Sequence, residues 1–173
     1  MSGPNVVGLD LSITAAGFAL GDGSVGTIRP PVKLGDRRIV AIRDHLAGAL
    51  VAVQDADLVV IEGPVVRSSA AVIIGMVHGA VRSMLLDHDT PHAIVPPATL
   101  KKYATGKGNA DKTAMAIAAL KRAGAEFADD NECDAWWLRM AGLQHLGASA
   151  FHLPAAQVAA LDKVQWPTLD GAQ

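Results

Sequence analysis

Four acidic residues, Asp10, Glu62, Asp130 and Asp134, end or interrupt apolar runs, the places where an uncompensated charge is most expensive. Asp10 ends the apolar part of VVGLDLS, Glu62 ends that of LVVIEGP, and Asp130 and Asp134 open DDNECDAWWLRMAG. A carboxylate at the end of a buried strand needs a cation or a hydrogen-bond partner. Four of them, drawn from three distant parts of the chain, point to divalent metal ions, hard cations that take oxygen ligands and keep waters. Two such ions roughly 3.5–4 Å apart activate a water and stabilise the leaving oxygen in phosphodiester cleavage. Asp10, on a central strand, suits the bridging position, with Glu62 and Asp134 flanking it. Asp130 lies one helical turn before Asp134 and Asn131 three residues before it, so either can share its face. Both are equally good helix caps.

A basic segment, PPATLKKYATGKGNADK, sets Lys101, Lys102, Lys107 and Lys112 around Gly106 and Gly108. Glycines let a backbone approach phosphates closely and lysines supply point charges. The segment lacks the spacing of a Walker loop, and as a bare pattern it reads better as a solvated surface loop. Of the six histidines, His78, His88, His92, His145 and His152 are scattered with no zinc-ligand spacing. Cys133, beside Asp134, reads as a buried thiol. Trp136, Trp137 and Trp166 read as core or interface anchors.

The elements that must position these groups are short. Residues 5–11 and 14–20 form two strands of a hairpin, and the Gly21-Asp22-Gly23 turn leads to a third strand near 24–28. Ile39, Ile42, Leu46, Ala49 and Val53 recur at helical spacing over 36–54, with Asp36 as a cap. Leu58–Ile61 is a buried strand running into Glu62. A helix follows from Ser69 to His88, capped by Ser68 or Ser69. Residues 92–95 form another strand, ended by Pro96 and Pro97, and the glycine-lysine loop leads into a helix from Ala110 to Ala123. The last strong helix runs from Asn131 to Leu146. The order β-β-β-α-β-α-β-α-α implies an α/β domain with a mixed sheet, in which functional groups gather at the carboxyl ends of adjacent strands. Residues 150–173 carry a weak pattern, read as a short helix and a loose end.

The 173 residues suit one domain with a real core. Half the chain is apolar and 18% is charged, which excludes a disordered chain. A single cysteine allows no internal disulfide, and no signal peptide or long apolar span is visible, so a cytoplasmic protein without a membrane segment is expected. The net charge of −2 counts modestly against a nucleic-acid partner, but bound metal would neutralise several acids, and the bases cluster in 33–43 and 101–112.

Taken together, the motifs resemble those of the RuvC-like Holliday junction resolvases, of the RNase H-like superfamily, with a phage-type member in view. VVGLDLSITAAGFAL, LVVIEGP, and VPPATLKKYATGKGNADKTAM followed by DDNECDAWWLRMAG carry the likeness, from about residue 5 to 147. It implies an RNase H-like mixed five-stranded sheet flanked by helices, a nuclease domain over 1–149 and a C-terminal extension over 150–173. It implies a crossover junction endodeoxyribonuclease using Mg2+, two ions per site with Mn2+ as a substitute, and acting on four-way junctions or other branched DNA. Asp10, Glu62 and Asp134 would be the catalytic metal ligands. The family's fourth ligand lies three residues before the last acid, here Asn131, so either Asn131 supplies an oxygen or Asp130 serves instead. Lys112, a catalytic residue in this reading, and Lys101 would contact the scissile-phosphate region, with Lys102 and Lys107 also on DNA. The aromatic wedge of many bacterial members corresponds to Val65. Family members are homodimers, and Ser69–His88 matches the dimer helix.

Other readings remain on the residues alone. An RNase H-like enzyme acting on RNA or a hybrid would share the acids. An actin-like ATP-binding module would share the Gly-x-Asp hairpin but needs two such domains. A non-catalytic DNA-binding protein of the same fold would not need Asp10, Glu62 and Asp134 together.

Overall fold

The computed structural model describes residues 3–52, 56–64 and 70–169. Three strands, β1 (Val6–Asp10), β2 (Ala16–Ala19) and β3 (Val25–Ile28), form an antiparallel meander. Two more, β4 (Leu58–Glu62) and β5 (His92–Val95), join in parallel to give the order β3-β2-β1-β4-β5. The helices are α1 (Arg37–Ala52), α2 (Ala71–Asp87), α3 (Pro97–Thr105), α4 (Lys112–Ala123), α5 (Asp130–His145) and the short α6 (Ala155–Val158). The mixed five-stranded α/β sheet expected from the sequence is the sheet observed.

Alternation along the strands decides which side chains meet which helices, because successive side chains leave a strand on opposite faces. Val7, Leu9, Val59 and Ile61 pack with Ile42, Leu46, Val77 and Val81 of α1 and α2. Val6, Leu58, Val60, Ala93 and Val95 pack with Trp137, Leu138 and Ala141 of α5. Gly8 and Asp10 continue the Val6 row, and Glu62 continues the row of Leu58 and Val60. Both acids therefore belong to the α5 face, at the carboxyl ends of neighbouring parallel strands.

The β2–β3 turn is built locally. Asp22 Oδ1 accepts from Ser24 N at 2.9 Å and from Ser24 Oγ at 2.7 Å, while Gly23 takes φ +93°, the left-handed region glycine occupies without a Cβ penalty. Elsewhere the expected boundaries shift. Pro96 and Pro97 do end β5, but Pro97 also begins α3, a helix the sequence reading left out. Proline suits the first helical turn, where its missing N–H costs nothing. Leu100, Tyr103 and Ala104 give α3 its buried stripe. The helix placed at 110–123 begins at Lys112, capped by Asp111, whose Oδ1 accepts from Ala114 N at 2.8 Å. Val53 and the caps Ser68 and Ser69 lie outside the described residues. Among the described residues, no helix is long and apolar enough to cross a membrane.

Candidate active site

Helix α5 crosses the sheet so closely that two glycines are required beneath it. A Cβ on Gly8 would collide with the Ala135 carbonyl oxygen and stand 2.6 Å from Arg139 N. A Cβ on Gly17, the cross-strand partner of Asp10, would collide with the Asn131 carbonyl oxygen. Gly142, farther along α5, lies against the side chains of Val6 and Val60. Arg139 ties the helix down by donating Nε to Val6 O at 3.1 Å and Nη2 to Gly21 O at 3.0 Å. This backbone-on-backbone seat sets the height of Asp134 above the strand ends.

The result is a convergence of Asp10, Glu62 and Asp134. Burial, followed by the charges of Asp10 and Asp134, pushes the Glu62 carboxyl up to about 8. Burial, followed by the charge of Asp134, pushes Asp10 up to about 6. Asp134 is raised to about 6 by burial, against the opposing pull of Lys101 and Lys112. Asp10 and Glu62 also share a hydrogen bond, which requires a proton on one of them. Two carboxylates facing each other at a buried strand end hold that proton more tightly than either would alone.

Among the described residues, no group of three His, Cys, Asp or Glu side chains is gathered closely enough to hold a metal ion as it stands. The chemistry of the donors nevertheless fits a hard divalent cation. All are carboxylate oxygens, they come from three elements, and their charges are compensated by a shared proton and partly by two lysines. A cation able to displace that proton would relieve the repulsion that helps raise Asp10 and Glu62.

The lysines approach from separate elements. Lys101, half-buried, lies on α3, and Lys112 is the first residue of α4. Lys112 Nζ pairs with Asp130. Lys102 and Lys107 are exposed. Asn131 donates Nδ2 to Asp129 Oδ1 at 3.2 Å, with its backbone over Gly17. Val65 lies outside the described residues. Cys133 is buried, and burial, helped by the neighbouring Asp134 charge, raises its thiol to about 12, as a structural thiol requires.

Asp129 is the residue that sequence reasoning missed. It, rather than Asp130 or Asn131, caps α5: its Oδ1 accepts from Glu132 N at 3.0 Å. The same carboxylate accepts from Thr27 Oγ1 at 2.9 and 3.0 Å and from Arg29 Nη2 at 2.7 Å, both on or just after β3. Burial alone would raise its pKa, but these donors hold it well below the usual carboxylate range. A local signal existed. Asp129 and Glu132 stand at capping-box spacing, and Glu132 Oε2 returns to accept from Ala128 N at 2.9 Å. Asp129→Ala is expected to lower stability by about 1–2 kcal/mol, read as a lower urea midpoint at unchanged slope. An unchanged midpoint would show that the ties to β3 carry no weight.

Comparisons with known proteins bear on the fold. No protein-family model matches the sequence, and no curated protein sequence matches it. Solved structures do. Thermus thermophilus RuvC superposes with a TM-score of 0.69 at 18% identity, covering 83% of this chain and 97% of that one. T. thermophilus RuvC in complex with a Holliday junction substrate gives 0.70 at 19% identity, covering 84% and 97%. The yeast mitochondrial Holliday junction resolvase Ydc2 gives 0.51 at 14% identity, covering 93% and 81%. The chain has the RuvC type of RNase H-like fold, and at these identities the likeness is one of fold.

Proposed function

We propose that the chain is a Mg2+-dependent endonuclease that cuts branched DNA, with the four-way junction as its preferred substrate. The observation that carries this reading is the meeting of Asp10, Glu62 and Asp134 at one edge of a fold shared with junction resolvases. Asp10, Glu62 and Asp134 would hold the cations, one or two of them, with Mn2+ able to substitute. When bound, a divalent cation supplies a nucleophilic hydroxide at neutral pH and charge stabilisation at the scissile phosphate.

The remaining work belongs to the chain's own groups. Asn131 is the better candidate for a fourth oxygen donor. Its backbone sits over Gly17, the partner of Asp10, and its amide nitrogen is already engaged by Asp129, which leaves Oδ1 as the atom that would take a cation. Asp130 is occupied by Lys112. Lys112 and Lys101, whose charges already reach the acids, would orient the phosphodiester and offset charge that develops on it. Lys102 and Lys107, exposed beside them, would bind the neighbouring backbone. Two such sites in a homodimer would address opposed strands of one junction. The outer side of α2 suits that pairing: Val72 is 80% and Met76 47% exposed, and no atom of the described residues lies within 4 Å of the Cβ positions of Gly75 and Gly79.

The test uses purified protein with synthetic four-way junction, flap and linear duplex DNA, with Mg2+ or with chelator. The expected result is junction cleavage at least about tenfold faster than that of linear duplex, dependent on Mg2+. Equal cutting of all three substrates would sink the junction preference. Undiminished cutting in chelator would sink the metal site.

A further inference from the structure

Helix α3, which carries Lys101, ends after nine residues and leaves carbonyl groups that no further turn can satisfy. The Lys102 carbonyl is handled within the helix end, and the Lys101 carbonyl one residue earlier receives a side-chain bond. Gly106, in the left-handed region at φ +84°, donates its N–H to Lys102 O at 2.8 Å. Thr105 Oγ1 donates to Lys101 O at 2.8 Å. The Tyr103 carbonyl is satisfied from outside the helix, by Gln157 Nε2 at 2.8 Å.

Gln157 is unusual in its burial. It is 7% exposed and, with His78, is one of two buried polar side chains among the described residues. Its side-chain carbons also lie about where a Cβ on Gly106 would make contact, at 3.9 Å. The segment that delivers it is firmly seated. Phe151 stacks on Trp136 at 5.9 Å and 19°, Leu161 and Val164 are buried in the α5-side core, and Trp166 stacks on His145, in the last turn of α5, at 4.2 Å and 7°. The opposite side of α3 is locked to α5 by Tyr103 Oη, which donates to Met140 O at 3.1 Å. The stretch from 151 to 166 thus straps together the helix bearing Lys101 and the helix bearing Asp134.

We propose that Gln157 is a positioning residue for Lys101: its amide terminates α3 and fixes the start of the glycine-lysine loop, so that the ammonium is held toward the carboxylates. This rests on the endonuclease reading above. The C-terminal extension then belongs to the site's supporting structure. Without the donor, the last turn of α3 would fray and Lys101 would sample positions away from Asp134 and Glu62.

The test compares Gln157→Leu, which removes the donor without adding charge, and Gln157→Glu, which keeps the shape but presents an acceptor to the Tyr103 carbonyl. Each is assayed on four-way junctions in the wild-type and Lys101→Ala backgrounds. The expected result is a loss in kcat of about tenfold, with KM within about twofold, in the Lys101 background. The same change should cost less than about twofold once Lys101 is alanine. Full activity in Q157L, or an equal loss with and without Lys101, would overturn the proposal. Hydrogen exchange at Gly106 and Lys107 reads the same clamp without cleavage. Faster exchange in Q157L supports it and unchanged exchange overturns it, even if the wild-type protein cuts no junction, a result that would defeat the endonuclease reading alone.

Discussion

Asp10→Asn is expected to abolish junction cleavage, by on the order of a thousandfold or more, and at the same time to raise the melting temperature of the metal-free protein at pH 8. The two effects have one cause. Asp10, Glu62 and Asp134 all have carboxyl pKa values above the ordinary range, at about 6, 8 and 6, with burial the largest cause of each. The folded protein therefore binds these protons more tightly than the unfolded chain does. The associated stability is fully present below the ordinary carboxylate pKa and is lost as pH rises through 6 and then 8. Wild-type protein without metal should melt progressively lower from pH 5 to pH 8.5. Asparagine at position 10 removes one buried charge and its repulsion of the other two, so the profile should flatten and the melting temperature at pH 8 should rise by roughly 3–6 °C. Mg2+ should raise the wild-type melting temperature at pH 8 by mass action, and should do so far less in the variant. A variant that melts lower than wild type at pH 8, or that still cuts, would mean that the three carboxyls are not a functional unit.

Gly8→Ala should produce a large loss of stability for a single added methyl group. The added carbon would meet the backbone of α5 at two points, the Ala135 carbonyl oxygen and Arg139 N, and backbone cannot rotate aside as a side chain can. Overpacking of that kind costs typically 1–3 kcal/mol, and here the upper end, about 3 kcal/mol, is expected. That corresponds to a drop of roughly 6–12 °C in melting temperature for a chain of this size. Cleavage should fall further than stability alone explains, because any relief lifts α5 and Asp134 with it. Gly48→Ala is the matching control. Gly48 lies inside α1 with nothing within 4 Å of its Cβ position, so alanine there should stabilise by about 0.5–1 kcal/mol. Thermal melts of the two variants give the comparison directly. Equal melting temperatures for G8A and wild type would refute the close seat of α5.

Much of the fold is legible in the chain because its signals are local. β1 and β4 read as strands because apolar runs of about five residues end in an acid. The turn at 21–24 reads from Gly-Asp-Gly, and α4 and α5 read from periodicity and from the glycines, Gly124 and Gly147, that follow them. Where local signals compete, reading fails. Pro96–Pro97 punctuates β5 and also opens α3, and only the buried stripe of Leu100 and Tyr103 tells a helix from a loop. Three adjacent polar residues, Asp129, Asp130 and Asn131, all suit a cap. Thr27 and Arg29, about 100 residues away in sequence, select Asp129.

The sequence by itself determined which residues end the central strands in carboxylates, because an acid closing an apolar run is a property of neighbours in the chain. It also determined that glycines and lysines crowd the segment before α4. Only the tertiary structure decided that Asp10, Glu62 and Asp134 share one face, where burial raises all three and neighbouring charge raises Asp10 and Glu62 further, since that depends on strand pairing and on how closely α5 can lie over Gly8 and Gly17. It likewise decided that Asp130 pairs with Lys112, that Asn131 turns to Asp129, and that Gln157 closes α3. Tertiary contacts in this chain join residues up to 133 positions apart, and their geometry is fixed by packing, which no local pattern of residue types records.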